Sequence, residues 1–402
     1  MKNIFLLPCL FLLICSCSNN DTPSVDNPGE KLNIELDVQQ RSICEKGNTF
    51  AGRLLLQTAD ENENVLLSPF SLQVALGMLA NGANEEAYNE IVTTLGMADY
   101  SLSELNDYHQ KLTTAIANEN DPSVELALDN SMWFKEGLSI KNAFKENMST
   151  YYNAPVNPLN FSNTDKAKAE INNWAKEATR STIKDLQLPL DASTTMVLAN
   201  ACYFNGKWNE PFDKKNTKEG IFHGYDGKNY TAQFMSATIG TAYMETDFYK
   251  KVYLAFGNYS FSMAIILPKE GIDLNNMLSN IAWAEEEQTQ RVSVKLSLPK
   301  VQMNLLKNMN GILQDMGVKK IFNDGESLNR IANELLISLV QQNSYFSMDE
   351  SGVEASSTTS AVVHPSANTS PTVTMNVNRP FYFIIRENST GTILFIGKVV
   401  TM

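Results

Sequence analysis

The residues from Asp349 to Val363 (Asp-Glu-Ser-Gly-Val-Glu-Ala-Ser-Ser-Thr-Thr-Ser-Ala-Val-Val) combine the periodicity of a β-strand with the composition of a loop. Counted by twos, Val353, Ala355, Ser357, Thr359, Ala361 and Val363 share one face, and Glu354, Ser356, Thr358, Ser360 and Val362 share the other. The first face is small and uncharged. No Gly or Pro interrupts the run from Val353 to Val363 and β-branched residues are frequent, so the segment suits a sheet; it lacks the Ile, Leu and Phe of an ordinary core strand, so it also suits solvent. Such a segment could lie outside a sheet and also fit inside one, its N–H and C=O groups being free to join a ladder in the second case. A Ser/Thr-rich surface linker is the plainer alternative. Conventional catalytic patterns are thin. His109, His223 and His364 lie far apart, lack the paired spacing of zinc ligands, and read as surface or structural residues. The chain has no Gly-x-Ser-x-Gly elbow and no phosphate-binding loop, so neither a metal nor a cofactor is expected.

Three further blocks bear on the choice: Asn64-Val-Leu-Leu-Ser-Pro-Phe-Ser-Leu72, Asn200-Ala-Cys-Tyr-Phe-Asn-Gly-Lys-Trp-Asn-Glu-Pro-Phe212, and Arg379-Pro-Phe-Tyr-Phe-Ile-Ile-Arg386 followed by Ile393-Leu-Phe-Ile-Gly-Lys398. Together, and in this order, they closely resemble signature segments of the serpin family, from about Phe50 to Met402. The resemblance implies an α+β single domain with a large central mixed sheet, additional sheets, about eight or nine helices and an exposed reactive loop near 350–378. It implies a suicide inhibitor of proteases rather than an enzyme; the alternative is a non-inhibitory member acting as a binding or structural protein. In the implied mechanism a protease cleaves the loop and forms its acyl-enzyme, and the loop then inserts into the central sheet before water releases the protease.

Site residues follow from the same resemblance. Glu350, Gly352, Val353, Glu354, Ala355, Ser356, Ser357, Thr358 and Thr359 match the hinge, with Val353, Ala355, Ser357 and Thr359 facing inward and Ser and Thr replacing much of the usual Ala run. Ser68, Ser71 and Asn200 match the polar cluster beneath the opening point of the sheet, where Gln342 stands at a position that is His in many serpins and so cannot titrate near neutral pH. Trp208 matches the aromatic where the loop enters, and Lys300 and Glu350 match a pair at the top of the sheet. Ordinary structural roles, a helix cap for Ser68 or a core aromatic for Trp208, fit the same residues. Counting about fifteen residues from Gly352 in the serpin register puts the reactive bond at Ser366–Ala367, and counting back from Pro380-Phe381 puts it nearer Thr369, so the window spans His364, Pro365, Asn368 and Thr369. Lys and Arg are absent from 351–378, which disfavours trypsin-like partners and favours elastase-like serine proteases; cysteine proteases stay open.

The elements that must hold these residues alternate helix and strand signals. Residues 50–58 and 71–81 have helical apolar spacing, the second opened by Ser68-Pro69, and 167–186 reads as a helix with Ile171, Trp174 and Ala175 on one face. Segments 259–267, 292–298, 381–386 and 393–399 read as strands, the last two joined as a hairpin by Asn388-Ser-Thr-Gly391. At 402 residues, 43% hydrophobic and 9% aromatic, the chain has ample core material, and a net charge of −13 argues against nucleic acid as a partner.

The N-terminus reads as a leader. Lys2 precedes an apolar stretch from Ile4 to Ile14 too short to span a bilayer, and Ile14-Cys15-Ser16-Cys17 resembles a bacterial lipobox. The expectation is a signal peptide over 1–16, lipid attachment and membrane anchoring at Cys17, a tether over 17–45 and a monomeric domain over 46–402, exported to the outer membrane. A plain secretory signal cut elsewhere is the alternative. Cys44 and Cys202 then remain as the thiols of the mature chain, enough for one disulfide at most.

Overall fold

Helix ends in the computed structural model, which describes residues 29–58, 62–284, 288–353 and 372–402, follow capping residues in the sequence. Helix α1 (Val38–Thr58) opens behind Asp37, whose carboxylate accepts from the Gln40 amide at 2.8 Å. After β1 (Val65–Leu67), α2 (Pro69–Ala80) starts from Ser68, whose hydroxyl accepts from the Ser71 amide, with Pro69 first in the helix. Asn84 caps α3 (Glu85–Leu95) and a left-handed Gly96 stops it; a Ser101–Glu104 capping box opens α4 (Leu102–Ala117).

The chain then passes through β2 (Val124–Lys135), α5 (Asn142–Asn147), β3 (Val156–Leu159), α6 (Thr164–Ala178) and β4 (Met196–Lys207). Strands β5 (Lys218–His223), β6 (Asn229–Glu245), β7 (Tyr249–Ala255) and β8 (Phe261–Pro268) follow. Next come α7 (Leu274–Ser279), β9 (Gln290–Pro299), β10 (Val301–Asn308), α8 (Asn310–Asp315) and α9 (Lys320–Asn323). The last strands are β11 (Leu339–Asp349), β12 (Gly352–Val353), β13 (Thr372–Asn376), β14 (Phe381–Glu387) and β15 (Ile393–Val399).

One sheet runs β1-β15-β14-β8-β7-β6-β9-β13 with β5 on β6; the other runs β10-β11-β12-β4-β2-β3, with β11 also paired directly to β4. The second sheet is mixed, since β11–β4 and β2–β3 are parallel and its other pairs antiparallel. Helix α2, apolar all round and buried along its whole length, contributes to the main core with residues of both sheets. Ala167, Ile171 and Ala175, four apart, join Val197, Ala199 and Leu339 in a second core and so seat α6 across the outer face of the six-stranded sheet. The α+β architecture expected from the sequence is the one observed, with nine α-helices among the described residues.

Three expectations need correction. The helix expected over 167–186 stops at Ala178: Thr179 Oγ1 bonds back to Ala175 O at 2.7 Å, and Arg180 and Ser181 take left-handed conformations. The chain then runs on irregularly, burying Ile183, Leu186, Leu188 and Leu190 beside α6. The folded body also begins well before residue 46, because Ile34, Ile43 and Cys44 are buried and the Leu32 and Ile34 amides donate to Ser260 and Ser389 Oγ, each at 2.8 Å. Tyr259 belongs to the turn before β8, at φ 71°.

Candidate functional site

The site lies on the seam between β11 and β4. In its lower part the two strands pair directly and in parallel, from Leu339↔Val197 to Tyr345↔Tyr203. Above that point they diverge, and β12 fills the gap: Val353 stands opposite both Met348 and Gly206, and Gly352 opposite both Asp349 and Lys207, antiparallel on each side. Val353 is fully buried in the main core.

The turn that delivers β12 is held from several directions. Ser351 N–H donates to Asp349 Oδ1 at 2.8 Å, which folds the chain back on itself. Trp208 donates twice, from its backbone to Ser351 O and from its indole to Asp349 O, both at 2.9 Å, and its ring stacks on Phe256 at 4.6 Å. Phe212 N–H donates to Glu350 O at 2.8 Å. The Glu350 carboxylate accepts from Lys300 Nζ at 2.9 Å and Thr217 Oγ1 at 2.7 Å. Burial alone would raise the Glu350 carboxyl; the bonds from Thr217 and Lys300 outweigh it and leave the group below its ordinary range. Gly352 sits at φ +152° with no room for a side chain, since a Cβ there would lie 2.1 Å from Gly206 O.

Lower on the seam a buried polar cluster ties the strands to α2. Gln342 uses both ends of its amide on Ser68, accepting from the backbone N–H at 2.8 Å and donating to the carbonyl at 3.0 Å, and it also donates to Asn200 Oδ1 at 2.7 Å. Asn200 Nδ2 donates to Ser71 Oγ and to Asn130 Oδ1, and Ser68 Oγ donates to Leu394 O at 2.7 Å. The Cys202 thiol completes the set by donating to Asn200 Oδ1 at 2.9 Å, and burial pushes it up to about 12. An uncharged cluster of this kind can be taken apart without exposing a charge.

The structure thus brings Ser68, Ser71, Asn200 and Gln342 into one cluster, and Trp208, Lys300, Glu350, Gly352 and Val353 around one turn. Asn130, Thr217 and Cys202 are site members that sequence reasoning missed; Asn130 lies one strand away and Thr217 in a loop, with no spacing to mark them. Glu354, Ala355, Ser356, Ser357, Thr358, Thr359, the window His364–Thr369 and Cys17 lie outside the described residues. Cys44 and Cys202 are both free and buried, Cys44 against Thr390 and Thr392 and Cys202 on the seam.

Comparison with known proteins agrees with this geometry. A family model described as Serpin (serine protease inhibitor) matches residues 45–402. Serpin A3-1 of Bos taurus is 30% identical, over 90% of each chain, and an uncharacterized serpin-like protein of Thermococcus kodakarensis is 27% identical over 99% of this chain and 98% of its own. Among solved structures, the thermophilic serpin Tengpin in its native state is 27% identical and superimposes with a TM-score of 0.84 over 93% of this chain and 96% of that one. The native stressed conformation of Arabidopsis AtSerpin1, also 27% identical, gives 0.79 over 91% and 99%. By its sequence over nearly the whole folded body and by its fold, the chain belongs to the serpin family, whose members are in general protease inhibitors rather than enzymes.

Proposed function

We propose that this serpin is a suicide inhibitor of serine proteases with small or apolar specificity, working by loop cleavage, acyl-enzyme trapping and insertion of the cleaved loop as a new strand between β11 and β4. The observation that carries this reading is the seating of β12. The first two residues of the loop already form a strand in the mouth of the seam, antiparallel to both neighbours, while below them β11 and β4 pair directly with each other across the seam.

Continuing the β12 register down the seam sets Ala355 between Phe204 and Phe346, Thr359 between Asn200 and Gln342, and Ala361 between Leu198 and Val340. Small residues thus meet large apolar ones, and a hydroxyl meets the polar cluster. The protease serine attacks the carbonyl of the reactive bond, the new amine leaves on the C-terminal segment, and the N-terminal segment stays esterified to the enzyme. Inserting about twelve residues at about 3.3 Å each carries that ester roughly 40 Å. One parallel ladder is exchanged for two antiparallel ones, and at about 1 kcal/mol net per added hydrogen bond the gain is on the order of 10 kcal/mol.

The test is incubation with an elastase-type protease and, separately, with trypsin. The reading expects an SDS-resistant complex with the first, formed much faster than with the second, and a released C-terminal peptide whose mass places the cut within His364–Thr369. Simple cleavage without a complex would instead favour a non-inhibitory binding role. We further propose export as a lipoprotein anchored through Cys17, which supports action at the bacterial envelope; fatty-acid labelling lost in Cys17→Ala is the expected result.

A further inference from the structure

Residues 30–36 lie along the body as an extended segment that belongs to no strand. Leu32, Ile34 and Leu36, two apart, pack against the main core with Ile34 buried, while Lys31, Asn33 and Glu35 stay exposed. The segment is fastened mainly through its backbone to side chains of two turns. Glu30 O accepts from Asn258 Nδ2 at 3.1 Å and the Leu32 N–H donates to Ser260 Oγ at 2.8 Å, both in the turn between β7 and β8. The Ile34 N–H donates to Ser389 Oγ at 2.8 Å in the turn between β14 and β15. Asn388 ties the two turns together, donating from Nδ2 to Tyr259 O at 2.8 Å and from its backbone to Ser260 O at 2.9 Å.

The first of these turns reaches the base of the reactive loop. The Asn258 N–H donates to the buried Asp121 carboxylate at 2.6 Å, and the other oxygen of that carboxylate accepts from the Ser123 N–H at 2.8 Å. Ser123 O accepts from the Lys207 N–H at 2.8 Å, and Lys207 O accepts from the Gly257 N–H at 2.9 Å, so the last residue of β4 is tied to the turn by two routes. Asn209 is held by the same turn, donating from Nδ2 to Gly257 O at 2.8 Å and accepting from the Tyr259 hydroxyl at 2.6 Å. Trp208 stands between Lys207 and Asn209. Its ring stacks on Phe256, and its two N–H groups hold Ser351 O and Asp349 O at the turn that delivers β12.

We propose that residues 30–36 form a clasp that regulates the base of the reactive loop through this route. Seated, the clasp steadies the turn 257–260 and with it Trp208 and the residues Trp208 holds. Lifted by a load or a partner acting on the chain ahead of Glu30, it lets that turn open and the loop base loosen. Each bond in the route contributes little by itself, so lifting the clasp shifts a local opening equilibrium and does not unfold the body. The inference goes beyond the inhibitory reading, and its readouts need no protease, so either can fail without the other.

Native-state hydrogen exchange on the full chain tests the clasp. Ile34→Asp puts a carboxylate on the buried side of the segment. It should speed exchange of the Trp208 and Phe212 amides, which donate to Ser351 O and Glu350 O, by about three- to tenfold. Ile34→Ala, a milder lift, should give the same pattern at smaller size. Asn258→Ala cuts the route while leaving Ile34 in place and should accelerate the same two amides; adding Ile34→Asp to it should then change them little further. Leu112→Ala, a truncation of a fully buried side chain on α4 outside the route, controls for a general loss of stability. It should lower the melting temperature and leave both amides within about twofold of the wild type. Unchanged exchange in Ile34→Asp or in Asn258→Ala, independent accelerations in the double variant, or the same acceleration in Leu112→Ala would overturn the clasp.

Discussion

The ammonium of Lys300 lies 2.9 Å from the carboxylate of Glu350, and the pair joins the base of the loop to the junction of the two sheets. Lys300 is the single residue between β9 of one sheet and β10 of the other, held there by its own N–H bond to Gln233 O at 2.8 Å. Glu350 is the first residue after β11. Its side chain is 5% exposed and that of Lys300 38%, so the carboxylate, not the ammonium, is the member that cannot fall back on water.

Glu350→Lys removes the acceptor from both Thr217 and Lys300 and sets two cations together. Leaving such partners unmatched costs about 1–3 kcal/mol. The variant should melt at a lower temperature and self-associate on mild heating, as β12 loosens and the seam accepts a strand from another chain; size-exclusion chromatography reads the outcome. Glu350→Gln, which can still accept from Thr217, should fall between the two. A variant that stays monomeric at the wild-type melting temperature would show the pair to be unimportant.

Gly352→Ala should eject the turn from the seam. A Cβ at this position would lie 2.1 Å from Gly206 O and 2.6 Å from Lys207 Cα, both backbone atoms, in a conformation (φ +152°) that side chains rarely adopt. Faster hydrogen exchange at the Trp208 amide, which now donates to Ser351 O, is the expected signature. Unchanged protection there would mean that the backbone accommodates the methyl group.

Between pH 6.5 and 4.5 acid sensitivity should come from His109; the lowered Glu350 carboxyl at the seam adds its own loss only below that window. His109 is fully buried on α4, both ring nitrogens lack partners among the described residues, and its neighbours are Phe70, Tyr108 and Tyr152. Burial lowers it from 6.5 to about 4. The folded state therefore binds fewer protons than the unfolded state within this window, and stability is lost as pH falls from about 6.5 toward 4, by roughly 3 kcal/mol in all. His109→Leu should flatten the stability curve between pH 6.5 and 4.5, above the range where most carboxylates titrate. Parallel curves for the two proteins would rule this out.

Much of this was legible because short-range signals agreed with tertiary ones. Ser68-Pro69 announced the start of α2, and Asn388–Gly391 announced the hairpin of β14 and β15, since caps and turns depend on a few adjacent residues. The end of α6 was not legible: the apolar residues after Thr179 keep a nearly helical spacing, but they are buried by tertiary packing in an irregular segment. The start of α1 at Val38 was missed for a related reason, as a polar run looked solvated until Ile43 and Cys44 found the core. Of the site, the face that Val353 shares could be read from alternation, and its inward direction from the resemblance to serpin hinges. The parts of Asn130 and Thr217 in the site could not, because they depend on which strand and which loop stand beside Asn200 and Glu350.

Val353 offers the most direct test of the inward and outward faces. Its side chain is fully buried between Met348 and Gly206, already inside the sheet before any cleavage. Val353→Arg would force a guanidinium into that position at an effective cost of several kcal/mol without a partner. Two consequences follow: β12 should leave the seam in the intact protein, and insertion after cleavage should start from a worse position. Insertion competes with hydrolysis of the acyl-enzyme, and each 1.4 kcal/mol on the insertion barrier costs about tenfold in rate. The variant should therefore be cleaved at the same bond and released as product, a substrate in place of an inhibitor. Glu354→Arg, on the opposite parity, would stand beside Asn205 and Ser347, which keep partial access to solvent, and should change far less. The number to measure is inhibitor consumed per protease inactivated; it should rise steeply for Val353→Arg and little for Glu354→Arg, and equal values would contradict both the register of β12 and the inserting loop built on it.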